Sequence, residues 1–155
     1  MANDLCNPLE WQCQRTSHAV YELKYHLVWI PKYRKVVLGE PVAQRCKQVF
    51  QGIAERYGFA IVEQEVMPDH VHWLFQLQEV QTLVEVMKAF KARSAVKINQ
   101  YSGRQGSLWQ KAYYDHALRK DEDVREIARY IVANPLRAGL VTHIGDYSHW
   151  DAIWV

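Results

Sequence analysis

The 155-residue sequence has few cysteines, no long apolar run and no large excess of charge of one sign. Its three cysteines form no CxxC pair and are too few for a disulfide framework, which is typical of a reducing compartment. No stretch approaches the roughly 20 apolar residues that cross a bilayer, and the N-terminus lacks the basic start and apolar run of a signal peptide. We therefore expect a cytoplasmic protein with no membrane span.

Apolar residues are plentiful enough to form a core. The sequence is 49% hydrophobic and 12% aromatic with a formal net charge of +2, a composition that argues against intrinsic disorder. Its length is that of one domain. We predict a single domain over residues 1–155, with an irregular lead at 1–18 and a C-terminal extension at 135–155.

Hydrophobic periodicity predicts strands and helices in a recognisable order. Strands are predicted at 21–29, 60–66, 70–78 and 112–118, and helices at 42–57 and 83–100. This order is typical of the ferredoxin-like (RRM-like) α+β fold, an antiparallel sheet with helices on one face and the other face open to a ligand. A further helix is predicted between Asp123, which can cap its first turn, and Pro135, which ends it.

Two segments are locally basic although the whole chain is near neutral. Residues 88–104 carry five basic residues and no acid, and residues 31–47 carry five basic residues with one acid. Such a segment is either a solvated helix face or a surface that binds phosphates, and charge alone does not separate these alternatives.

His70 and His72 are the sharpest chemical feature of the sequence. Residues two apart in a strand point to the same face, so both imidazoles are expected to project together, away from Val71 and Trp73. They are candidate ligands for one divalent metal. The alternative is a strand with two half-exposed histidines that arose by chance.

Tyr130 and Asn134 lie four residues apart on the last predicted helix and therefore on one side of it. If Asn134 is a third ligand, two imidazoles and an amide oxygen leave positions open for water and phosphate, which suits Mg²⁺ or Mn²⁺. The alternative is that Tyr130 packs at a core boundary and Asn134 merely ends the helix.

Several ordered motifs resemble one known family. MPDHVH is followed by an apolar strand, a basic helix, LWQKAYYDHALR and ARYIVANPLRAGLV, as in the HUH single-tyrosine transposases. YHLVWIPKYRKVVL is similar to the insertion-sequence branch, whereas NPLRAGLV and DYSHWDAIW resemble the REP-associated tyrosine transposases. The resemblance spans most of residues 21–154 and is nearest to the REP-associated branch.

The resemblance implies a role for each candidate residue. His70, His72 and Asn134 correspond to the family's metal ligands, and Tyr130 corresponds to its nucleophile. The implied enzyme is a metal-dependent endonuclease and strand transferase that forms a 5′-phosphotyrosine link and a free 3′-hydroxyl. The implied substrate is single-stranded or hairpin DNA at palindromic repeats, and the REP-associated relatives favour a monomer over a homodimer.

Basic and aromatic side chains are the expected DNA contacts. The candidates for phosphate contacts are Lys32, Arg34, Lys35, Lys88, Lys91, Arg93 and Lys97. The candidates for base stacking are Tyr33, Trp109, Tyr113 and Trp150, and His116 is expected near the site.

Two other classes of protein remain as alternatives. A non-catalytic nucleic-acid-binding module could use the same sheet, with incidental histidines. A metal-dependent phosphodiesterase would use activated water in place of Tyr130.

Overall fold

An antiparallel sheet forms the centre of the protein. The computed structural model describes residues 24–77, 81–118 and 124–150, together with the backbone of 14–15, 20–21 and 151–152. The strands are β1 (Gln14–Arg15), β2 (Val20–Tyr21), β3 (Lys24–Trp29), β4 (Ala60–Met67), β5 (His70–Gln76), β6 (Tyr114–Ala117) and β7 (Trp150–Ala152). The helices are α1 (Val42–Tyr57), α2 (Leu83–Ser102), α3 (Val124–Val132) and α4 (Asn134–Arg137).

The strand order of the main sheet is β6-β3-β5-β4-β7, and all neighbouring strands are antiparallel. Its first four strands have the order and connections of the ferredoxin-like fold, with α1 and α2 as the two crossover helices. The predicted α+β class is therefore confirmed.

Both crossover helices begin and end close to their predicted bounds. α1 ends at Gly58, which adopts φ 70° and donates its N–H to Ala54. In α2, the Thr82 side chain accepts a hydrogen bond from the backbone N–H of Glu85. The helix continues two residues beyond its predicted end, to Gly103 at φ 67°.

Large aromatic rings hold α1 and α2 against one face of the sheet. Trp29 on β3 and Trp73 on β5 are buried, and their ring centroids lie 4.7 Å apart. Phe50 of α1 and Phe90 of α2 pack on the Trp73 ring at 5.4 and 4.2 Å. Each such pair contributes about 0.5–1.5 kcal/mol beyond its area burial, so β3 and β5 are held firmly.

The opposite face of the sheet is partly covered by α3. Val62 and Leu74 form a small apolar cluster with Ala128 and Ile131 of this helix. β4 reaches this face through a bulge after Ile61, which itself packs in the main core. We expected this face of the sheet to be open to a ligand, but α3, the helix that carries Tyr130, packs on it.

The remaining elements differ in detail from the predicted ones. β1 lies in the segment expected to be irregular and pairs with β2, while the first predicted strand, 21–29, corresponds to the end of β2 and to β3. β7 lies in the predicted extension and adds a fifth strand beside β4. The predicted cap Asp123 lies outside the described residues. Among the described residues, no helix is both long and apolar enough to cross a membrane.

Candidate active site

His70 and His72 project from β5 on the face opposite the aromatic core. Their ring centroids lie 4.9 Å apart, while Val71 and Trp73 are buried on the other side. His70 is partly exposed at the start of the strand, and only 8% of His72 is exposed. The predicted common face of the two imidazoles is confirmed.

Asp69 orients His70. The Nδ1 atom of His70 lies 2.7 Å from Asp69 Oδ1, and Arg34 Nε donates to Asp69 Oδ2 at 3.0 Å. Partial burial favours a higher pKa for Asp69, but the hydrogen bonds from His70 and Arg34 outweigh it and hold the pKa below its ordinary value. The ionised carboxylate accepts from Nδ1, which leaves the His70 Nε2 lone pair free for a ligand.

His26 contacts the Nδ1 atom of His72, as Asp69 contacts the Nδ1 atom of His70. Its Nε2 lies 3.0 Å from His72 Nδ1. Burial lowers the pKa of His72 to about 3, assisted by its charged neighbours, and burial together with His116 lowers the pKa of His26 to about 4. Both rings are therefore neutral at pH 7, and one proton lies between them.

Asn134 meets His72 across the site. The helix that carries Tyr130 ends at Val132, and after Ala133 the chain begins α4 at Asn134. The Nδ2 atom of Asn134 lies 2.8 Å from His72 Nε2. In this orientation of the amide, Nδ2 donates to the Nε2 lone pair, which corresponds to the Nδ1–H tautomer of His72.

Arg137 joins the nucleophile candidate to Asn134, and the sequence did not single it out. Tyr130 is 58% exposed, and the guanidinium carbon of Arg137 lies 3.8 Å from its ring centroid. Arg137 Nη2 donates to the Tyr130 carbonyl at 2.6 Å and also to Asn134 Oδ1. The motif NPLR contained this signal, since Arg137 follows Asn134 by three residues.

Two buried acids lie on the histidine side of β4 and were also missed. Glu65 is the register partner of His72, and Glu63 lies two residues earlier. Burial raises the pKa of Glu63 to about 9, with a contribution from Glu65. Burial also raises the pKa of Glu65 to about 8, against the opposing effects of Asn134 and Arg137. Their spacing of two within a strand was the available signal.

The donor atoms fit a divalent metal if the Asn134 amide turns. His70 Nε2 and His72 Nε2 present lone pairs to one side, and Asn134 Oδ1 is the oxygen that can join them. Among the described residues, no three His, Cys, Asp or Glu side chains group closely enough to hold a metal, so a third protein ligand beside the two histidines would be the amide. Its Oδ1 contacts Arg137, so an exchange of the amide atoms is required.

Lys32, Arg34 and Lys35 lie in a strained turn after β3. Tyr33 and Arg34 adopt φ of 62° and 51°, in the left-handed region. Tyr33 is 76% exposed, with the Lys32 and Lys35 ammonium groups 5.3 and 5.9 Å from its ring centroid. Together with Arg104, the turn lines a polar cavity of about 140 Å³.

The four basic residues predicted on α2 do not share one face. Lys88 and Lys91 line a largely apolar groove of about 500 Å³, while Arg93 lies 5.5 Å from the ring centroid of Tyr57. Lys97 is exposed. Lys91 Nζ donates to the backbone carbonyls of Gln110 and Lys111, the latter at 2.9 Å, so it ties down a loop.

The candidate stacking residues differ in exposure. Trp109 is 7% exposed and donates its Nε1–H to Ser94 Oγ at 2.9 Å, which makes it a core residue. Tyr113 packs at the edge of the core, and Trp150 is half-buried on β7. Tyr33 presents the most open ring of the four. His116 is the register partner of His26, beside the histidine site.

Comparison with known proteins identifies the family. Residues 19–134 match the family described as Transposase IS200 like. The chain is 38% identical over 119 residues to the ISDra2 transposase TnpA of Deinococcus radiodurans, a match that covers 72% of this chain and 84% of that protein. It is 30% identical over 84 residues to the REP-associated tyrosine transposase of Escherichia coli K12, covering 53% of this chain and 47% of that protein.

A solved structure shows the same fold. The REP-associated tyrosine transposase bound to a REP hairpin is similar with a TM-score of 0.69 and 20% sequence identity, covering 88% of this chain and 82% of that chain. The fold and these relatives define an enzyme of the tyrosine transposase class. The chain belongs to the IS200-like transposase family, as its motifs indicated.

Proposed function

We propose that this transposase cleaves and rejoins single-stranded hairpin DNA through a covalent bond to Tyr130, with Mg²⁺ or Mn²⁺ held by His70, His72 and Asn134. The observation that carries the proposal is the contact of Asn134, four residues after Tyr130, with one of the paired histidines. The Asn134–His72 contact of 2.8 Å joins the two halves.

The proposed reaction exchanges one phosphate ester for another. The Tyr130 hydroxyl attacks phosphorus, forming a Tyr–O–P bond while the P–O3′ bond breaks. Tyr130 loses its phenolic proton in this step, and the departing 3′-oxygen gains one. The products are a 5′-phosphotyrosine and a 3′-hydroxyl. Because the number of ester bonds is conserved, attack by a 3′-hydroxyl reverses the step and joins strands without a nucleotide cofactor.

Each chain residue has a defined part in this mechanism. A bound Mg²⁺ or Mn²⁺ would neutralise charge that develops on the phosphate oxygens. Asp69 accepts from His70 Nδ1, and His26 Nε2 lies 3.0 Å from His72 Nδ1, so each histidine keeps its Nε2 atom for the site when its proton is on Nδ1. The exposure of Tyr130 leaves its hydroxyl accessible to a DNA strand.

The substrate follows from the accessible surface and from the relatives. A structural neighbour is a transposase bound to a REP hairpin, and hairpin DNA is the ligand we propose here. Tyr33 with its two lysines offers a ring and positive charge to an unpaired base and its phosphate. Stacking on Tyr33 requires an unstacked base, which favours single strands over duplex.

An adduct gel tests the proposal directly. Single-stranded hairpin DNA carrying the REP repeats of the host genome is incubated with the protein and Mn²⁺, then separated under denaturing conditions. We expect a stable protein–DNA adduct that Tyr130→Phe abolishes. Tyr114→Phe is the matched control, because Tyr114 is also 58% exposed and its ring lies 6.2 Å from His26.

Other outcomes of this experiment would indicate a different function. Cleaved DNA without an adduct, retained by Tyr130→Phe, would indicate metal-dependent hydrolysis. Binding without cleavage would indicate a non-catalytic module. An adduct that maps to another tyrosine would overturn the role of Tyr130.

A further inference from the structure

Arg137 occupies an unusual position beside the candidate nucleophile. Its guanidinium carbon lies 3.8 Å from the centroid of the Tyr130 ring, and its side chain is exposed. In a straight helix, residues seven apart are separated by about 10.5 Å along the axis. The break at Ala133, followed by Pro135 in the first turn of α4, brings the guanidinium back over the ring.

The contacts of Arg137 use only part of its hydrogen-bonding capacity. Its Nη2 atom donates to the Tyr130 carbonyl and to Asn134 Oδ1. A guanidinium carries five N–H donors in a fixed plane, a geometry that matches a phosphate. Among the residues that the structure describes, the donors on Nε and Nη1 have no recorded hydrogen bond, so they can serve a ligand at the exposed edge of Tyr130.

The partners of the two arginines near the site differ in charge. Arg34 Nε lies 3.0 Å from the Asp69 carboxylate. The recorded hydrogen bonds of Arg137 go instead to a backbone carbonyl and to an amide oxygen, which are both neutral groups.

We propose that Arg137 is a catalytic residue that binds a non-bridging oxygen of the scissile phosphate while Tyr130 attacks phosphorus. The inference rests on the proposed role of Tyr130. Negative charge grows on the phosphate oxygens in the transition state, and a fixed donor next to the nucleophile stabilises it. The Nη2 contact with the Tyr130 carbonyl does not depend on the orientation of the Asn134 amide, and it holds the guanidinium beside the ring before DNA binds.

The first experiment measures adduct formation in a single turnover at saturating DNA and saturating Mn²⁺. We expect Arg137→Ala to slow the reaction by about 10²–10³-fold, the usual cost of losing one transition-state donor. Arg129→Ala is the matched control, because Arg129 is an exposed arginine on the same helix as Tyr130. A rate within threefold of wild type, or a loss that disappears as Mn²⁺ reaches saturation, would overturn the proposal.

The second experiment separates phosphate contact from mere positioning of Asn134 and Tyr130. Hairpin affinity is measured in a chelator with the Tyr130→Phe protein, with and without Arg137→Ala, on DNA carrying a phosphate or a neutral methylphosphonate at the mapped cleavage position. A charged hydrogen bond contributes about 1.5–3 kcal/mol, so we expect a coupling of about 10-fold or more. The methylphosphonate should weaken binding only when Arg137 is present.

The outcomes distinguish the two proposals. A coupling within twofold of unity would show that Arg137 does not touch the phosphate, even if the wild-type protein forms its adduct at Tyr130. Absence of any wild-type adduct would instead reject the proposed function.

Discussion

Replacement of His26 by phenylalanine isolates the hydrogen bond that sets the tautomer of His72. Phenylalanine keeps a planar ring beside His72, where the two imidazole centroids lie 5.3 Å apart, and removes the acceptor Nε2. In the wild-type protein, His72 donates from Nδ1 to His26 and accepts from Asn134 at Nε2. The variant leaves a buried N–H donor with no acceptor at that position.

The expected loss of Mn²⁺ affinity in this variant can be worked out from the hydrogen bonds of His72. An unsatisfied buried donor costs about 1–3 kcal/mol, and His72 can avoid this cost by moving its proton to Nε2. That tautomer has no lone pair for a metal, so metal binding must restore the unfavourable one. We expect the Mn²⁺ dissociation constant of His26→Phe to rise by about 10- to 100-fold, or about 1.4–2.8 kcal/mol.

Isothermal titration calorimetry with Mn²⁺, without DNA, measures this effect independently of catalysis. Circular dichroism checks that the variant is folded. His143→Gln is a suitable control, since it removes an imidazole that accepts only from Gly145 among its described hydrogen bonds. A folded His26→Phe protein whose Mn²⁺ affinity stays within twofold of wild type would refute the tautomer argument.

Three further predictions concern the metal, the DNA surface and stability. His72→Ala should abolish Mn²⁺ binding and adduct formation while the far-ultraviolet spectrum is retained, because the side chain faces away from the aromatic core; a normal adduct would contradict the metal assignment. Charge reversal of Lys88 and Lys97 should weaken hairpin binding and flatten its salt dependence in filter-binding assays. Lys91→Gln should instead lower the melting temperature of the protein, because the Lys91 ammonium donates to loop carbonyls. For Glu63, burial raises the folded-state pKa to about 9 from an ordinary value of 4.5, so the folded protein binds more protons between these values and loses stability as pH rises through them. Between pH 5 and 9, the melting temperature of Glu63→Gln should therefore fall by several degrees less than that of the wild-type protein. Melting temperatures that change with pH in parallel for the two proteins would refute the argument.

The sequence predicted those parts of the fold that depend on local periodicity. The alternation through Val71, His72 and Trp73 determined which residues face the core, because a strand has a period of two regardless of its neighbours. The predicted bounds of α1 agree with the structure because Gly58 ends the helix locally. The order of elements then identified the sheet.

The missed features depend on contacts that no local pattern contains. His26 and His72 meet because β3 pairs with β5 in a register that makes them diagonal neighbours, 46 residues apart. Arg137 meets Tyr130 across the break at Ala133, whereas the sequence predicted one continuous helix to Pro135. The basic residues of α2 were candidates for DNA contact because of their charge, but the angular positions of Lys88 and Arg93 place them on different sides of the helix.

The residues of the site lie on two parts of the fold. The histidines lie on a central strand whose other face is packed with aromatic rings, so their positions are fixed by the core. Tyr130 and Arg137 lie on α3 and α4, and α3 contacts the sheet through the smaller Val62 and Leu74 cluster. Asn134 belongs to the second part but bonds to His72 of the first. A metal bound by both parts would therefore add a connection where the packing is smallest, and this predicts that metal binding and the position of the nucleophile depend on each other.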